Sequence, residues 1–144
     1  MAHAFARPDG GISVLTIAPG VNPATEAERV ANLHGWQHLG DIPVPTSRRF
    51  RNQWRAAAGA VDVDLPLARE QIVTEVRAER DKHLGASDGV YLKAQERGTE
   101  KEERDIASYR QALRDLPAVV SPALDAITTA DELEGFVAAW PTKV

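Results

Sequence analysis

The segment 47–55 combines residue types that readily contact other molecules. It carries four arginines and two large aromatic residues, and Phe50 and Trp54 are four positions apart, which predicts one face of a short helix capped by Ser47. Arginines with stacking aromatics are typical of single-strand nucleic-acid binders, and the same residue types are enriched at protein interface hot spots. Burial of both rings between subdomains is the third interpretation. We take the following residues as candidates for partner binding: Arg49, Phe50, Arg51, Asn52 and Trp54.

Histidines and carboxylates do not combine into a predicted active site. His34 and His38 have helical spacing, but Gly35 lies between them, where the helix is expected to end. A metal would also need a third ligand, and the chain has no HExxH motif, EF-hand or carboxylate-rich loop to supply it. His83 lies within a long apolar seam, where a packing role is favoured over a catalytic one. The chain has no cysteine and no GxGxxG, GxxxxGK[ST] or HExxH motif. We therefore predict no enzymatic activity, no metal and no cofactor.

Composition narrows the remaining classes. The chain has 144 residues and a formal net charge of −4, which favours one domain, or a small domain with an appendage, and disfavours general attraction to nucleic acid. Residues 47–64 carry four basic and two acidic groups, whereas residues 99–144 carry five basic and nine acidic groups, so the basic charge is local. No apolar run approaches the roughly 18 residues that span a bilayer, and no signal-peptide pattern is present, so we expect a soluble, unprocessed protein.

The first 46 residues predict a small α/β subdomain. A Pro-Asp-Gly-Gly turn joins two strands, residues 2–6 and 12–17, in a hairpin. A helix is expected to follow, with Asn22 as its N-cap and Gly35 just past its end. Residues 36–39 are a candidate third strand.

Residues 47–64 predict a connector between this subdomain and a helical region. Gly59 is expected to break the short helix that carries the two aromatic rings. Val61 and Val63 then alternate with aspartates, which is typical of a short, half-buried strand. Asp64 is also placed to cap the following helix.

Residues 65–144 predict a helical domain. From residue 65 to residue 97, mostly apolar residues recur at alternating intervals of three and four, as along one face of a long helix. Gly85 and Gly89 interrupt this pattern, so a continuous helix and a break near Ser87 are both open.

Clear signals for a helix end and a new helix start follow this long segment. Gly98 is expected to end the helix in the left-handed conformation, and Thr99 with Glu102 forms a capping box that starts the next helix. So short a connection implies an antiparallel helical hairpin. The second helix is expected to stop at Pro117, because proline removes a helical hydrogen bond.

Two short helices are predicted in the tail. One opens at Ser121-Pro122, and the other at Thr129, which forms a second capping box with Glu132. An apolar stripe closes the chain, and two of its members are further candidates for partner binding: Phe136 and Trp140. The predicted fold is thus α+β and mostly α, with a small N-terminal hairpin and helix followed by an antiparallel helical hairpin and short terminal helices.

The order of several short motifs across residues 47–141 is similar to that of a known family. These motifs are Arg49-Phe50-Arg51-Asn52 with Trp54, Val63-Asp64, Ala68-Arg69-Glu70, Gln111-Ala112-Leu113-Arg114-Asp115, Leu133 and Trp140-Pro141. In this order they resemble the tail-assembly or tail-fibre-assembly chaperones of tailed phages and prophages, which have a helical C-terminal domain. The chain departs from that family at residues 85–89, where family members usually have an uninterrupted Ala- and Leu-rich helix.

The resemblance implies a non-catalytic protein that helps to build a phage tail or its fibres and needs no cofactor. Its expected partner is a tail, tail-fibre or baseplate protein, met in the host cytoplasm during assembly through contacts between polypeptides. Two alternatives remain open: a permanent structural component of the virion tail, and a single-stranded nucleic-acid-binding protein. Self-association into a homo-oligomer is also open, and membrane binding is not expected.

Overall fold

The computed structural model describes residues 2–144 and divides the chain into two compact units, with the boundary between Ala68 and Arg69. Helices account for 55% of the residues and strands for 15%, which confirms the predicted α+β, mostly α fold. The segment 47–64 lies within the first unit.

The first unit is built around a three-stranded antiparallel sheet. Its strands are β1 (Ala2–Ala6), β2 (Ile12–Thr16) and β3 (Gln37–Gly40), in the order β2-β1-β3. The predicted hairpin and third strand are both confirmed. Because β1 lies in the middle, Phe5 pairs with Ser13 on one side and with His38 on the other.

One face of this sheet is covered by α1 (Pro23–His34). The Asn22 side chain accepts hydrogen bonds from the Ala24 and Thr25 backbone amides, and Gly35 ends the helix at a φ of 67°, as predicted. Residues of the helix and the sheet share a buried cluster with the partly buried Trp36: Phe5, Ala27 and Val30. This shared cluster fixes the position of α1 on the sheet.

The opposite face is covered by a second hairpin, formed by β4 (Trp54–Ala57) and β5 (Ala60–Val63). The short helix predicted to carry Phe50 and Trp54 is wrong: a single 3-10 turn, Arg51–Gln53, precedes Trp54, which begins β4. A segment this short nucleates a helix poorly, and burial of the indole against the sheet favours the strand. The predicted strand at Val61 is confirmed, and Gly59, expected to break a helix, forms the hairpin turn at a φ of 75°.

Four helices follow: α2 (Leu65–Ala86), α3 (Asp88–Arg97), α4 (Glu100–Asp125) and α5 (Ala130–Glu134). Asp64 caps α2 as predicted, because its Oδ1 accepts a hydrogen bond from the Leu67 amide at 3.2 Å.

The sequence left open whether the helix over residues 65–97 is continuous. There is a break at Ser87, between α2 and α3. Arg110 of α4 holds it in place, because one nitrogen of its guanidinium lies 3.0 Å from the Leu84 carbonyl oxygen, 2.6 Å from Ser87 Oγ and 2.7 Å from Asp88 Oδ1. The same guanidinium lies over the Tyr91 ring. A single side chain from the facing helix thus adds hydrogen bonds at the break to the local ones, in which the Ser87 amide and hydroxyl also donate to the Leu84 carbonyl.

The α3–α4 connection is a tight antiparallel hairpin, as predicted, but Gly98 does not adopt a left-handed conformation. Its φ is −82°, and a Cβ added there would lie 2.5 Å from the Ala94 carbonyl oxygen, so glycine is needed for close approach. The capping box is confirmed: Thr99 Oγ1 accepts from the Glu102 amide, and the Glu102 carboxylate accepts from the Thr99 amide. The hairpin core consists of four buried residues: Ala94, Ile106, Tyr109 and Leu113.

The second helix does not stop at Pro117. Instead, α4 runs through Pro117 and Pro122 as one helix, so a separate helix starting at Ser121 is also wrong. The Ser121 hydroxyl donates to the Pro117 carbonyl, and apolar residues at helical spacing stay buried along the whole length. Burial of this stripe compensates for the two missing backbone hydrogen bonds: Ile106, Tyr109, Leu113, Leu116, Val120 and Leu124.

The terminal apolar stripe, formed by Leu133, Phe136, Val137 and Trp140, is only partly helical. The Thr129 side chain caps α5 by accepting a hydrogen bond from the Glu132 amide, which is one half of the predicted capping box, but the chain leaves the helix at Gly135. Leu133 is fully buried, whereas Val137 is 83% exposed. The predicted single apolar face is therefore divided between a short helix and an extended tail.

Candidate functional site

The Arg-aromatic segment is partly core and partly surface. Phe50 and Trp54 are each 1% exposed, and Trp54 shares a cluster with Ala4, Ile12 and Val61. The guanidinium carbon of Arg49 lies 5.2 Å from the centre of the Phe50 ring. Both rings therefore anchor the segment, and its arginines and Asn52 form the accessible surface.

Arg51 also borders a pocket of about 310 Å³ in the first unit. The pocket lies beside β2, and His34 stacks on Trp36 at its wall with ring centres 4.4 Å apart. Apolar residues from the sheet and from α1 complete the lining: Phe5, Val14, Leu15 and Val30, with Ser13 as a further polar member. Neighbouring strands and a helix thus bring together residues that are up to 46 positions apart in the sequence.

Phe136 and Trp140, the other predicted partner-binding residues, lie in the second unit and are partly buried. Trp140 packs against the core of the α3–α4 hairpin, and its ring lies 5.0 Å from that of His83. Packing is the role predicted for His83, and this contact is consistent with it. Five of the seven predicted residues thus belong to the first unit and two to the second.

A groove of about 310 Å³ runs along the α3–α4 hairpin. Val90, Ala94 and Ile106 supply apolar surface, and the charged lining residues differ between the two helices. Basic residues, Lys93 and Arg97, come from α3, whereas acidic residues, Glu102 and Asp105, come from α4.

The charge of Glu102 in this groove is favoured by the capping box. The hydrogen bond from the Thr99 backbone amide lowers the pKa of Glu102 below its ordinary value. Its carboxylate therefore stays ionised to a lower pH than an ordinary glutamate would.

A histidine pair not seen in the sequence joins two strands of the first unit. His3 Nδ1 and His38 Nε2 are 2.9 Å apart, and His3 is buried. His34 and His38, considered as a metal pair from their spacing, have different neighbours, since His34 stacks on Trp36. Within residues 2–144, no group of three or more histidine, aspartate or glutamate side chains is arranged to hold a metal ion.

The helices described over residues 2–144 include none that is long and apolar enough to cross a membrane.

A protein-family model matches most of the helical unit. Residues 73–142 match the family model of phage tail assembly chaperone proteins. The resemblance to these chaperones is thus confirmed from within α2 to beyond α5. Searches of curated proteins and of solved structures gave no significant match.

The chaperone match includes some of the candidate residues and leaves out others. Phe136, Trp140 and nearly the whole α3–α4 groove lie inside it, whereas the Arg-aromatic segment and the pocket beside β2 lie before residue 73. The sequence singled out Arg51 of that pocket but not the pocket itself, because its lining comes from distant elements. Only the pairing of β1 with both β2 and β3 brings them together.

Proposed function

We propose that this chain is a non-catalytic phage tail assembly chaperone that acts by binding a phage tail protein in the host cytoplasm. The supporting observation is that the chaperone match, residues 73–142, falls within the compact unit that begins at Arg69. A unit that packs as one body around its own core is suited to present fixed surfaces to another polypeptide. Its action then consists of contacts and requires no cofactor.

The α3–α4 groove is the surface that we propose for this contact. Its apolar floor is bordered by basic residues on one side and acidic residues on the other. An amphipathic helix of the tail protein, with an apolar stripe flanked by charges of both signs, complements this arrangement. Val90, which is 47% exposed at the groove, is available for such a contact.

Genetic complementation tests the proposal. In a phage or prophage deleted for this gene, we expect few tailed particles by electron microscopy, with recovery when the wild-type chain is supplied in trans. Val90→Asp is expected to lower the yield of tailed particles at least tenfold, because a carboxylate is introduced into the apolar floor. Val119→Asp, at an exposed valine of α4 that does not line the groove, is the matched control. Normal tails in the deleted phage would overturn the proposal.

Mass spectrometry of purified particles distinguishes the structural alternative. A chaperone that leaves after assembly is absent from mature virions, whereas a tail component is present in stoichiometric amounts. Stoichiometric recovery of this chain would replace the chaperone proposal with the permanent-component hypothesis.

A further inference from the structure

We propose that the free edge of β2 and the adjacent pocket form a docking site for an extended, acidic segment of a protein partner. The proposal rests on the proposed function only in taking the occupant to be a polypeptide. It concerns the first unit, which the chaperone match does not reach.

The edge of β2 provides the backbone component of this site. β2 is the outer strand of the sheet, and in the part of the chain that the structure describes it pairs only with β1. An outer strand presents unpaired N–H and C=O groups, to which an extended segment can add as a further strand. Main-chain hydrogen bonds of this kind contribute affinity without requiring a particular partner sequence.

The pocket provides the side-chain component. Its lining includes Val14 and Leu15, which are adjacent in β2 and therefore project to opposite faces of the sheet, so the pocket extends around the strand edge. Val30 and Trp36 give it an apolar wall, and a volume of about 310 Å³ accommodates a large apolar side chain. A strand added to β2 would direct alternate side chains towards this wall.

Charge selects among possible segments. Within residues 2–144, the Arg51 guanidinium at the pocket has no hydrogen-bond or ion-pair partner. The segment 47–64 that contains it has four basic and two acidic groups. A carboxylate of the partner beside Arg51 would accept a charge-assisted hydrogen bond from the guanidinium. The occupant is therefore acidic as well as apolar.

The same surface favours a polypeptide over single-stranded nucleic acid. Base stacking requires exposed aromatic faces, but Phe50 and Trp54 are buried, and His34 already stacks on Trp36. The segment 47–55 therefore offers no exposed ring of its own beside its arginines on which a base could stack.

Peptide titration of the full-length, ¹⁵N-labelled protein tests the proposal. The probe is a capped eight-residue peptide in which glutamate alternates with leucine and valine. We expect saturable shifts of the amide signals of residues 12–16 and of the Trp36 indole signal. A matched peptide with lysine in place of glutamate, and the acidic peptide with alternate backbone amides N-methylated, are each expected to bind at least tenfold more weakly.

Two variants test the role of Arg51. Arg51→Glu is expected to weaken binding of the acidic peptide at least tenfold, because it reverses the charge at the pocket. Arg48→Glu, an equal charge change at an exposed residue outside the pocket, is expected to change binding less than threefold. The amide spectrum of each variant confirms that it is folded.

Several results would overturn the docking site: absence of saturable binding, equal binding of acidic and basic peptides, equal losses in the two variants, or shifts that map away from β2. Tighter binding of an oligothymidylate at the same amides would assign the surface to nucleic acid instead. Complementation by the wild-type chain is unaffected by any of these results. A failure of the docking site is thus distinguishable from a failure of the chaperone function.

Discussion

The hydrophobic cores of the two units are built from different kinds of residues. In the first unit, short strands are held from both sides by a few large rings, with Phe5 buried under α1 and Trp54 buried under the second hairpin. In the helical unit, one stripe of mainly aliphatic residues continues along the 26 residues of α4. Stability in the first unit therefore depends on single large residues, whereas in the second it is distributed over many smaller ones.

Truncation of a core residue in each unit gives the largest expected difference. Trp54→Ala should lower the free energy of unfolding by about 3–5 kcal/mol, because it empties the space between hairpin and sheet. Leu113→Ala, in the helical core, should cost less, within the range of about 2–5 kcal/mol for such truncations. Denaturant titration followed by circular dichroism measures both. A larger loss for Leu113→Ala would contradict the comparison.

Arg110 tests whether polar contacts also contribute to the helical unit. Arg110→Met should lower stability by about 1–3 kcal/mol, because the Ser87 hydroxyl and the Asp88 carboxylate lose their donor and the Leu84 carbonyl loses one of its donors. Arg114→Met, at an exposed position of the same helix, is the control and should change stability by less than about 0.5 kcal/mol. Thermal denaturation of the two variants under identical conditions measures the difference, and equal melting temperatures would show that Arg110 does not stabilise the break.

Substitutions at two glycines have expected effects of opposite sign, and the effect at Gly85 is the smallest. Gly98→Ala should destabilise the hairpin by about 1–3 kcal/mol, because its Cβ would meet the Ala94 backbone. Gly85→Ala, inside α2 with open space around the added Cβ, should stabilise the chain by about 0.5–1 kcal/mol. Urea titration measures both, and a stabilising Gly98→Ala would show that the connection relaxes freely.

Local signals predicted those parts of the fold that depend on nearby residues. The helix ends at Asn22, Gly35 and Thr99 were predicted correctly, because a cap forms hydrogen bonds within one turn. The chaperone resemblance was likewise visible in the order of motifs, and the family match confirms it over residues 73–142.

Local signals failed where distant contacts outweigh propensity. Phe50 and Trp54 have helical spacing, yet Trp54 joins a strand because the sheet buries it. Pro117 is a helix breaker by type, yet the helix continues because residues on both sides of it are buried along one face. The pocket beside β2 could not be predicted either, since it depends on strand order.

The two prolines within α4 have a consequence for how this helix opens. Neither residue carries an amide hydrogen, so the turns around Pro117 and Pro122 have fewer hydrogen bonds to break than the turns before them. Arg69 counteracts this weakness, because its guanidinium donates to the carbonyl oxygens of Leu124 and Ile127 at the far end. The last two turns of α4 are therefore held by packing and by this arginine more than by backbone hydrogen bonds, so their opening depends on contacts with α2.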